Sequence, residues 1–226
     1  MTGIAHNLQA LGKRLERVRG VTLLAVSKGQ SVERIQEAVA AGQKAFGENY
    51  VQEALAKMQA LPGLEWHLIG PLQSNKTRAA AEHFAWVQTI DREKIARRLS
   101  EQRPKGLPPL NVLIQVNVSA ESSKSGVAPE GALALAEAVG QMPRLRLRGL
   151  MAIPEPGALR ERYRTVKSLF DQLREKYAFD TLSMGMSDDM DLAIAEGATM
   201  VRVGTAIFGA RQKAKSAAMT EPESEP

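Results

Sequence analysis

Lys28 is the residue with the clearest chemical potential in this chain, because it stands just after an apolar run that predicts a buried β-strand over residues 21–26. A lysine at the mouth of a buried strand is partly removed from water, and desolvation lowers the pKa of its amine. The neutral amine can attack an aldehyde and form a Schiff base. The plainer alternative is a strand-end lysine whose ammonium group reaches out to water. This segment alone leaves both interpretations open.

Chemically capable residues also follow most of the other predicted strands. In a (β/α)8 barrel the active site lies at the C-terminal ends of the strands, so one mouth would gather all of these residues. They are Glu48 and Asn49, Gly70 with Gln73, Ser74 and Asn75, then Lys124, Met151 and Ser187, and finally Arg202 with Gly204 and Thr205.

Two glycine-containing segments have the character of a phosphate site. Gly185, Met186 and Ser187 precede a predicted helix, whose first N–H groups would face an anion together with the serine hydroxyl. Gly204 and Thr205 follow the last strand in the same way, and barrels commonly hold phosphate in the loops after strands seven and eight. Each segment by itself is equally well explained as an ordinary turn or cap.

Arg202 and His67 lie inside predicted strands rather than after them. An arginine that points into a barrel needs an acceptor, which is either a structural carboxylate or the ring nitrogen or phosphate of a ligand. We interpret His67 as a hydrogen-bonded core residue rather than a catalyst. The histidines of the chain are scattered and lack a nearby carboxylate cluster, so we expect no metal site.

The elements that must position these residues alternate strand with helix. Alternating apolar patterns predict strands near residues 21–26, 44–46, 65–69, 85–89, 111–118, 145–151, 181–184 and 199–203, with helices between them. We expect Asp91 to cap the helix after the fourth strand and Ser187 or Asp188 to cap the helix after the seventh. A last short helix is expected over residues 207–215.

This alternation favours an α/β fold, a single (β/α)8 TIM barrel over residues 1–215. A doubly wound open sheet is the alternative, since the order of strands and helices does not separate the two. Residues 216–226 are small, polar and acidic, so we predict a disordered tail there.

The composition excludes several other classes of protein. The chain has 226 residues, 44% of them hydrophobic, which suffices for one large domain. Its net charge of +5 is spread beside acidic residues along helix faces and only 4% of residues are aromatic, so we expect no nucleic-acid partner. Cysteine is absent, which excludes disulfides. With no membrane-length apolar run and no signal-peptide pattern, we expect a cytoplasmic protein without membrane association.

Eight stretches in order along the chain resemble the pyridoxal phosphate homeostasis proteins, small single-domain relatives of the alanine racemase N-terminal barrel. They are LAVSK at 24–28, FGENYVQE at 46–53, WHLIGPLQSNK at 66–76, QVNV at 115–118, KSG at 124–126, GLM at 149–151, LSMGMS at 182–187 and VRVGTAIFG at 201–209. The family often continues the lysine with Thr-Lys-Pro, whereas this chain has Gly29, Gln30 and Ser31. A second lysine that could help pass the cofactor on is therefore missing.

The resemblance implies a cofactor site with assigned residues. Lys28 would bind pyridoxal 5'-phosphate as an internal aldimine, while Arg202 faces the pyridine nitrogen and Asn49 lies near the ring. Phosphate binding would fall to Ser187, Gly204 and Thr205. Lys124 is either a second contact to the aldehyde or a solvated loop lysine.

The same resemblance, together with the chemistry of arginine, favours a cofactor holder over an enzyme. Arginine keeps its proton, so a pyridine ring facing Arg202 is a weak electron sink. Racemisation also needs a second base on the opposite face of the substrate. In the racemases a tyrosine from an additional C-terminal domain supplies that base, and we expect no counterpart here, since Tyr50, Tyr163 and Tyr177 fall on predicted helices where they would pack.

We therefore predict a protein that binds pyridoxal 5'-phosphate, supports its intracellular homeostasis and has no catalytic residue. The alternatives are a low-activity racemase of amino acids that uses pyridoxal phosphate and an aldolase that uses Lys28 without a cofactor. We expect a monomer whose partners are the cofactor and the apo-enzymes that receive it.

Overall fold

Eight parallel strands close into a barrel in the computed structural model, which describes residues 2–119, 125–155 and 157–209. Each strand pairs with its neighbours in sequence, and the last pairs with the first, with Leu24 opposite Arg202. The strands are β1 Thr22–Val26, β2 Ala45–Glu48, β3 Glu65–Leu68, β4 Trp86–Ile90, β5 Leu110–Val116, β6 Leu145–Ala152, β7 Thr181–Ser183 and β8 Met200–Val203. The predicted (β/α)8 barrel is confirmed, and the open-sheet alternative is wrong.

Helices connect these strands on the outside of the barrel. They are α1 Gly3–Glu16, α2 Val32–Ala40, α3 Val51–Ala60, α4 Thr77–His83, α5 Glu93–Gln102, α6 Ala132–Gly140, α7 Arg160–Tyr177, α8 Met190–Ala195 and α9 Thr205–Phe208, with 3-10 turns at Ser74–Lys76 and Pro129–Gly131. Each long helix buries one apolar face, as α1 does with Ile4, Leu8, Leu11 and Leu15. No helix in the described ranges is both long and apolar enough to cross a membrane.

The side chains of each strand alternate between two environments. One set packs against the helices and forms the main core, which includes Ala25 and Phe46. The other set points into the barrel, where Leu24, Ile69 and Met200 form one apolar cluster. A second interior cluster consists of Trp86, Leu113 and Met151. These two apolar clusters lie inside the barrel, and Ile69 extends the first of them to the mouth.

Several predicted helix boundaries are wrong for identifiable reasons. Helix α8 begins at Met190 rather than near Ser187, because the Asp189 carboxylate accepts the Met186 N–H and holds the preceding residues in a loop. Asp91 does not cap α5 but pairs with Arg92, the residue that precedes the helix, at 2.7 Å.

The end of the chain also departs from the prediction. Helix α9 occupies Thr205–Phe208 instead of residues 207–215, and Gly209 follows it with φ of +75°. The rest of the predicted last helix and the predicted tail at 216–226 lie outside the described residues, as does Lys124.

Candidate functional site

A cavity of about 330 Å³ opens at the C-terminal ends of the strands. It contains all six residues that the sequence singles out for a cofactor: Lys28, Asn49, Ser187, Arg202, Gly204 and Thr205. The remaining lining residues are Val26, Gln30, Ile69, Ile153, Met186, Asp188 and Gly209. The structure therefore brings these six strand-end residues together in one place.

Strand alternation explains why Lys28 reaches this cavity. Val26 points into the barrel, so Ser27 points outward towards the helices and Lys28 is again on the inner side. Lys28 itself is half-buried, with one part in the cavity and the other in contact with water.

The loops after β7 and β8 form one side of the cavity. The Ser187 hydroxyl accepts the Ala206 N–H at 3.4 Å, which links the first loop to the beginning of α9. Gly185 has φ of +94°, and a Cβ there would lie 2.5 Å from the Cβ of Ala193, so only glycine fits. The loop is further held by Asp189, which accepts the Tyr163 hydroxyl as well as the Met186 N–H. Burial, together with this bond to Asp189, raises the pKa of Tyr163.

Arg202 forms the floor of the cavity. Its side chain is almost fully buried and donates from Nη1 to Ser183 Oγ and from Nη2 to the Ala152 carbonyl, both at 2.8 Å. Desolvation lowers the pKa of Arg202 to about 10, so the guanidinium stays charged at neutral pH. Both acceptors are neutral, and the negative charge of Asp189 raises the pKa of Arg202 without a hydrogen bond to it, so an acceptor or anion in the cavity would add to this balance of charge.

A buried chain of hydrogen bonds supports Arg202 from below. The Ser183 hydroxyl donates to Gln88 Oε1 at 2.7 Å, and Gln88 Nε2 donates to His67 Nδ1 at 2.9 Å. His67 Nε2 in turn donates to Glu65 Oε1 at 2.8 Å. This direction requires a neutral imidazole, and burial lowers the pKa of His67 accordingly. The interpretation of His67 as a hydrogen-bonded core residue is confirmed.

Some strand-end residues are not in the cavity. Gln73, Ser74 and Asn75 do not line it, and Met151 is buried in the interior cluster below it. Glu48 faces outward from β2, where it accepts from Ser27 and Lys57.

Ile153 is a lining residue that the sequence interpretation missed. It follows β6 directly, two positions after Met151, and this spacing was the signal available for it. Met186 lines the cavity and is 38% exposed at the mouth.

The expectation that Tyr50 packs on a helix is wrong, because Tyr50 is 67% exposed just before α3 and does not line the cavity.

Comparison with known proteins agrees with this architecture. The alanine racemase N-terminal domain family matches residues 1–212. The pyridoxal phosphate homeostasis protein of Pseudomonas aeruginosa is 57% identical over 93% of this chain and 97% of its own length. That of Escherichia coli is 53% identical over 95% of this chain and its whole length. The chain belongs to the pyridoxal phosphate homeostasis protein family. The resemblance detected in the sequence is thus confirmed.

Solved structures extend the comparison. PipY of Synechococcus elongatus, solved with PLP bound, is 38% identical with a TM-score of 0.81 over 91% of this chain and all of its own. Alanine racemase from Corynebacterium glutamicum has a TM-score of 0.77 at 19% identity, over 92% of this chain and 61% of its own. The racemase therefore shares the fold.

Proposed function

We propose that this protein binds pyridoxal 5'-phosphate in the barrel-mouth cavity, with Lys28 as a reversible covalent tether, and supports homeostasis of the cofactor. The single observation that carries the proposal is the meeting of an amine, two glycine-containing loops with hydroxyl side chains and a buried arginine in one cavity. Membership of the pyridoxal phosphate homeostasis protein family and the PLP-bound structure of PipY support it.

The residues present fit the chemical groups of this cofactor. A volume of about 330 Å³ is in the range of small-ligand sites. Hydroxyls of Ser187 and Thr205 and the backbone at Gly204 would bind the phosphate. Arg202 would donate to the ring nitrogen, and Asn49 would lie near the ring.

The covalent tether requires only the amine of Lys28 and the aldehyde of the cofactor. The neutral Nζ of Lys28 would add to the aldehyde carbon, and the carbonyl oxygen would leave as water with the two amine protons, so that a carbon–nitrogen double bond would join lysine and cofactor. Because addition of water reverses the reaction, the cofactor is stored in a form that can be released.

Two features support binding without significant turnover. When bound, pyridoxal phosphate stabilises carbanions best if its ring nitrogen is protonated, and Arg202, whose pKa stays near 10, keeps its proton. Among the described cavity-lining residues there is no tyrosine, histidine or cysteine to act as a second base. The carboxylate among these lining residues is Asp188, which lies next to Ser187 on the loop assigned here to the phosphate.

A low-activity amino-acid racemase is the second candidate function, because the family model and the fold are shared with alanine racemase. The two candidates differ in turnover of amino-acid enantiomers by cofactor-saturated protein. We expect none above the rate of the cofactor alone, and sustained turnover that disappears with Lys28→Ala would favour the racemase.

Borohydride reduction followed by peptide mass mapping tests the tether directly. We expect the reduced cofactor on Lys28, and we expect Lys28→Ala to lose the visible absorption of the loaded protein while retaining weaker binding through the phosphate loops. Lys44→Ala, which removes an exposed lysine just before β2, is the matched control and should behave as wild type. Cofactor mass on a different lysine would overturn the assignment.

We also propose that the protein acts in the cytoplasm as a monomer and that apo-enzymes dependent on pyridoxal phosphate receive the cofactor. The reversible bond and the opening of the cavity at the barrel mouth support delivery to such recipients. Size-exclusion chromatography with light scattering tests the monomer, and a dimer mass would contradict it.

A further inference from the structure

Lys28 occupies the second position of a β-turn. The Ser27 carbonyl accepts the Gln30 N–H at 3.0 Å, and Gly29 in the third position has φ of +71°. A positive φ at this position is characteristic of a type II turn. Type I and type II turns differ by a flip of the peptide between the two central residues, here Lys28 and Gly29. A group that holds this peptide in one orientation therefore fixes the backbone from which the Lys28 side chain begins.

Charged side chains hold the peptide groups on both sides of Lys28. Glu53 Oε1 accepts the Gly29 N–H at 2.6 Å, which fixes the central peptide of the turn. Lys57 Nζ donates to the Ser27 carbonyl at 2.8 Å, and the Ser27 hydroxyl donates to Glu48 Oε1 at 2.5 Å. Glu48 of β2 and Glu53 and Lys57 of α3 thus hold the turn through hydrogen bonds.

The three residues also bind one another. Lys57 Nζ donates to Glu48 Oε1 and to Glu53 Oε1, each at 2.7 Å. The side chains of Lys57 and Glu48 are 7% and 0% exposed, whereas that of Glu53 is 29% exposed. Desolvation makes a buried ion cluster a poor source of stability compared with apolar packing. Its direct contacts to the Lys28 turn suggest a role beyond stability.

We propose that Glu48, Glu53 and Lys57 form a positioning cluster that orients the Lys28 turn so that the amine meets the aldehyde of pyridoxal phosphate. The inference rests on the proposed function. None of the three residues lines the cavity, so they act through Lys28 and are not catalytic residues. The cluster should affect the covalent part of binding and leave recognition of the phosphate and ring unchanged.

Substitutions at Glu53 test this role with little risk to the fold, because its side chain is partly exposed on α3. Glu53→Ala removes the acceptor of the Gly29 N–H, whereas Glu53→Gln keeps an acceptor oxygen. The two probes are pyridoxal 5'-phosphate and pyridoxamine 5'-phosphate, which carries an amine in place of the aldehyde. We expect Glu53→Ala to weaken binding of the aldehyde about tenfold, the effect of one hydrogen bond to a charged group. Binding of the amine should not change, and Glu53→Gln should stay within about threefold of wild type for both probes.

Two further variants complete the experiment. Lys57→Met should give the same selective loss, and Gln52→Ala, an exposed neighbour of Glu53 on α3, should behave as wild type. Equal weakening of both probes by Glu53→Ala, or no change with either, would overturn the positioning role. A wild-type protein that binds both probes equally would instead disprove the Lys28 tether and the inference with it. Melting temperatures of all variants separate these outcomes from loss of folding.

Discussion

Arg202 and His67 share the interior of the barrel, where Arg202 is charged and His67 is neutral, because the same desolvation acts on groups whose usual pKa values differ widely. Desolvation lowers both pKa values, but that of Arg202 remains near 10 and the guanidinium stays charged. The pKa of His67 starts close to neutrality, so the same effect leaves the imidazole neutral. Gln88 can then donate to His67 and accept from Ser183, so the hydrogen-bond chain holds Arg202 in one orientation.

A pH dependence of stability follows from His67. The pKa of His67 is lowered in the folded state. Below the usual histidine pKa of about 6.5, the unfolded chain therefore binds a proton at His67 that the folded protein does not bind. The stabilising contribution of the neutral imidazole is therefore complete above that pH and is lost as the pH falls. We expect a slope of up to about 1.4 kcal/mol per pH unit from this group between pH 6.5 and 5.

Urea denaturation across pH 5 to 7.5 measures this slope. His67→Gln removes the titrating group, so the difference between the slopes of wild type and variant isolates the histidine from Glu48, whose pKa is raised by burial and whose contribution has the opposite sign. Equal slopes for the two proteins would show that His67 binds its proton equally in the folded and unfolded states, which would contradict the lowered pKa.

At the scale of elements, the loop between β7 and α8 depends on glycine more strictly than the turn at Gly42 does. Gly185 and Gly42 have nearly equal φ values, +94° and +96°, but a Cβ at Gly42 meets nothing within 4 Å, whereas at Gly185 it would meet Ala193. The two positions form a matched pair in which backbone strain is the same and the steric clash differs.

Substitution of each glycine by alanine separates these two effects. We expect Gly42→Ala to lower the free energy of unfolding by about 1 kcal/mol through strain alone. Gly185→Ala should cost about 1–3 kcal/mol more, because the added methyl group must displace packed atoms. The loop that carries Ser187 would shift as a result, so binding of pyridoxamine 5'-phosphate should weaken in this variant alone. Equal unfolding free energies for the two variants would contradict the steric account.

Local pattern predicted the barrel and placed a wider set of strand-end residues at its mouth, and the resemblance to the family selected the six that line the cavity. Strand-to-helix alternation is visible in neighbouring residues, and the C-terminal ends of parallel strands in a barrel must meet at one mouth. The contacts that support the site are not local. Gln88 and Ser183 lie 95 positions apart, and their hydrogen bond becomes apparent only when the strand register is known. In the sequence, nothing distinguishes Lys57 from an exposed helix lysine. Its bond to the Ser27 carbonyl depends on the packing of α3 against the turn after β1.

For the whole molecule, the pairing of the first and last strands brings the lysine and the arginine of the cavity together. β1 leads to Lys28, and β8, which pairs with β1, carries Arg202 and leads to Gly204. The cavity is at the mouth of the barrel, where Met186 and Ile153 are 38% and 40% exposed. A cofactor bound there has a direct path to solvent, so the bond to Lys28 is expected to be the main barrier to its release.

Delivery of the cofactor to a recipient tests this expectation. When the loaded protein is mixed with an apo-aminotransferase, the recovery of transaminase activity should follow the rate of release from Lys28 and should not rise with the concentration of the recipient. Glu53→Ala, with its weaker tether, should activate the recipient faster. Protein reduced with borohydride should activate none, because its carbon–nitrogen bond no longer exchanges with water. If the reduced protein activated the recipient as well as the untreated protein did, the delivered cofactor would have come from a site other than Lys28. A rate that grows with recipient concentration would indicate instead that the two proteins meet at the barrel mouth and that the recipient's own lysine displaces Lys28.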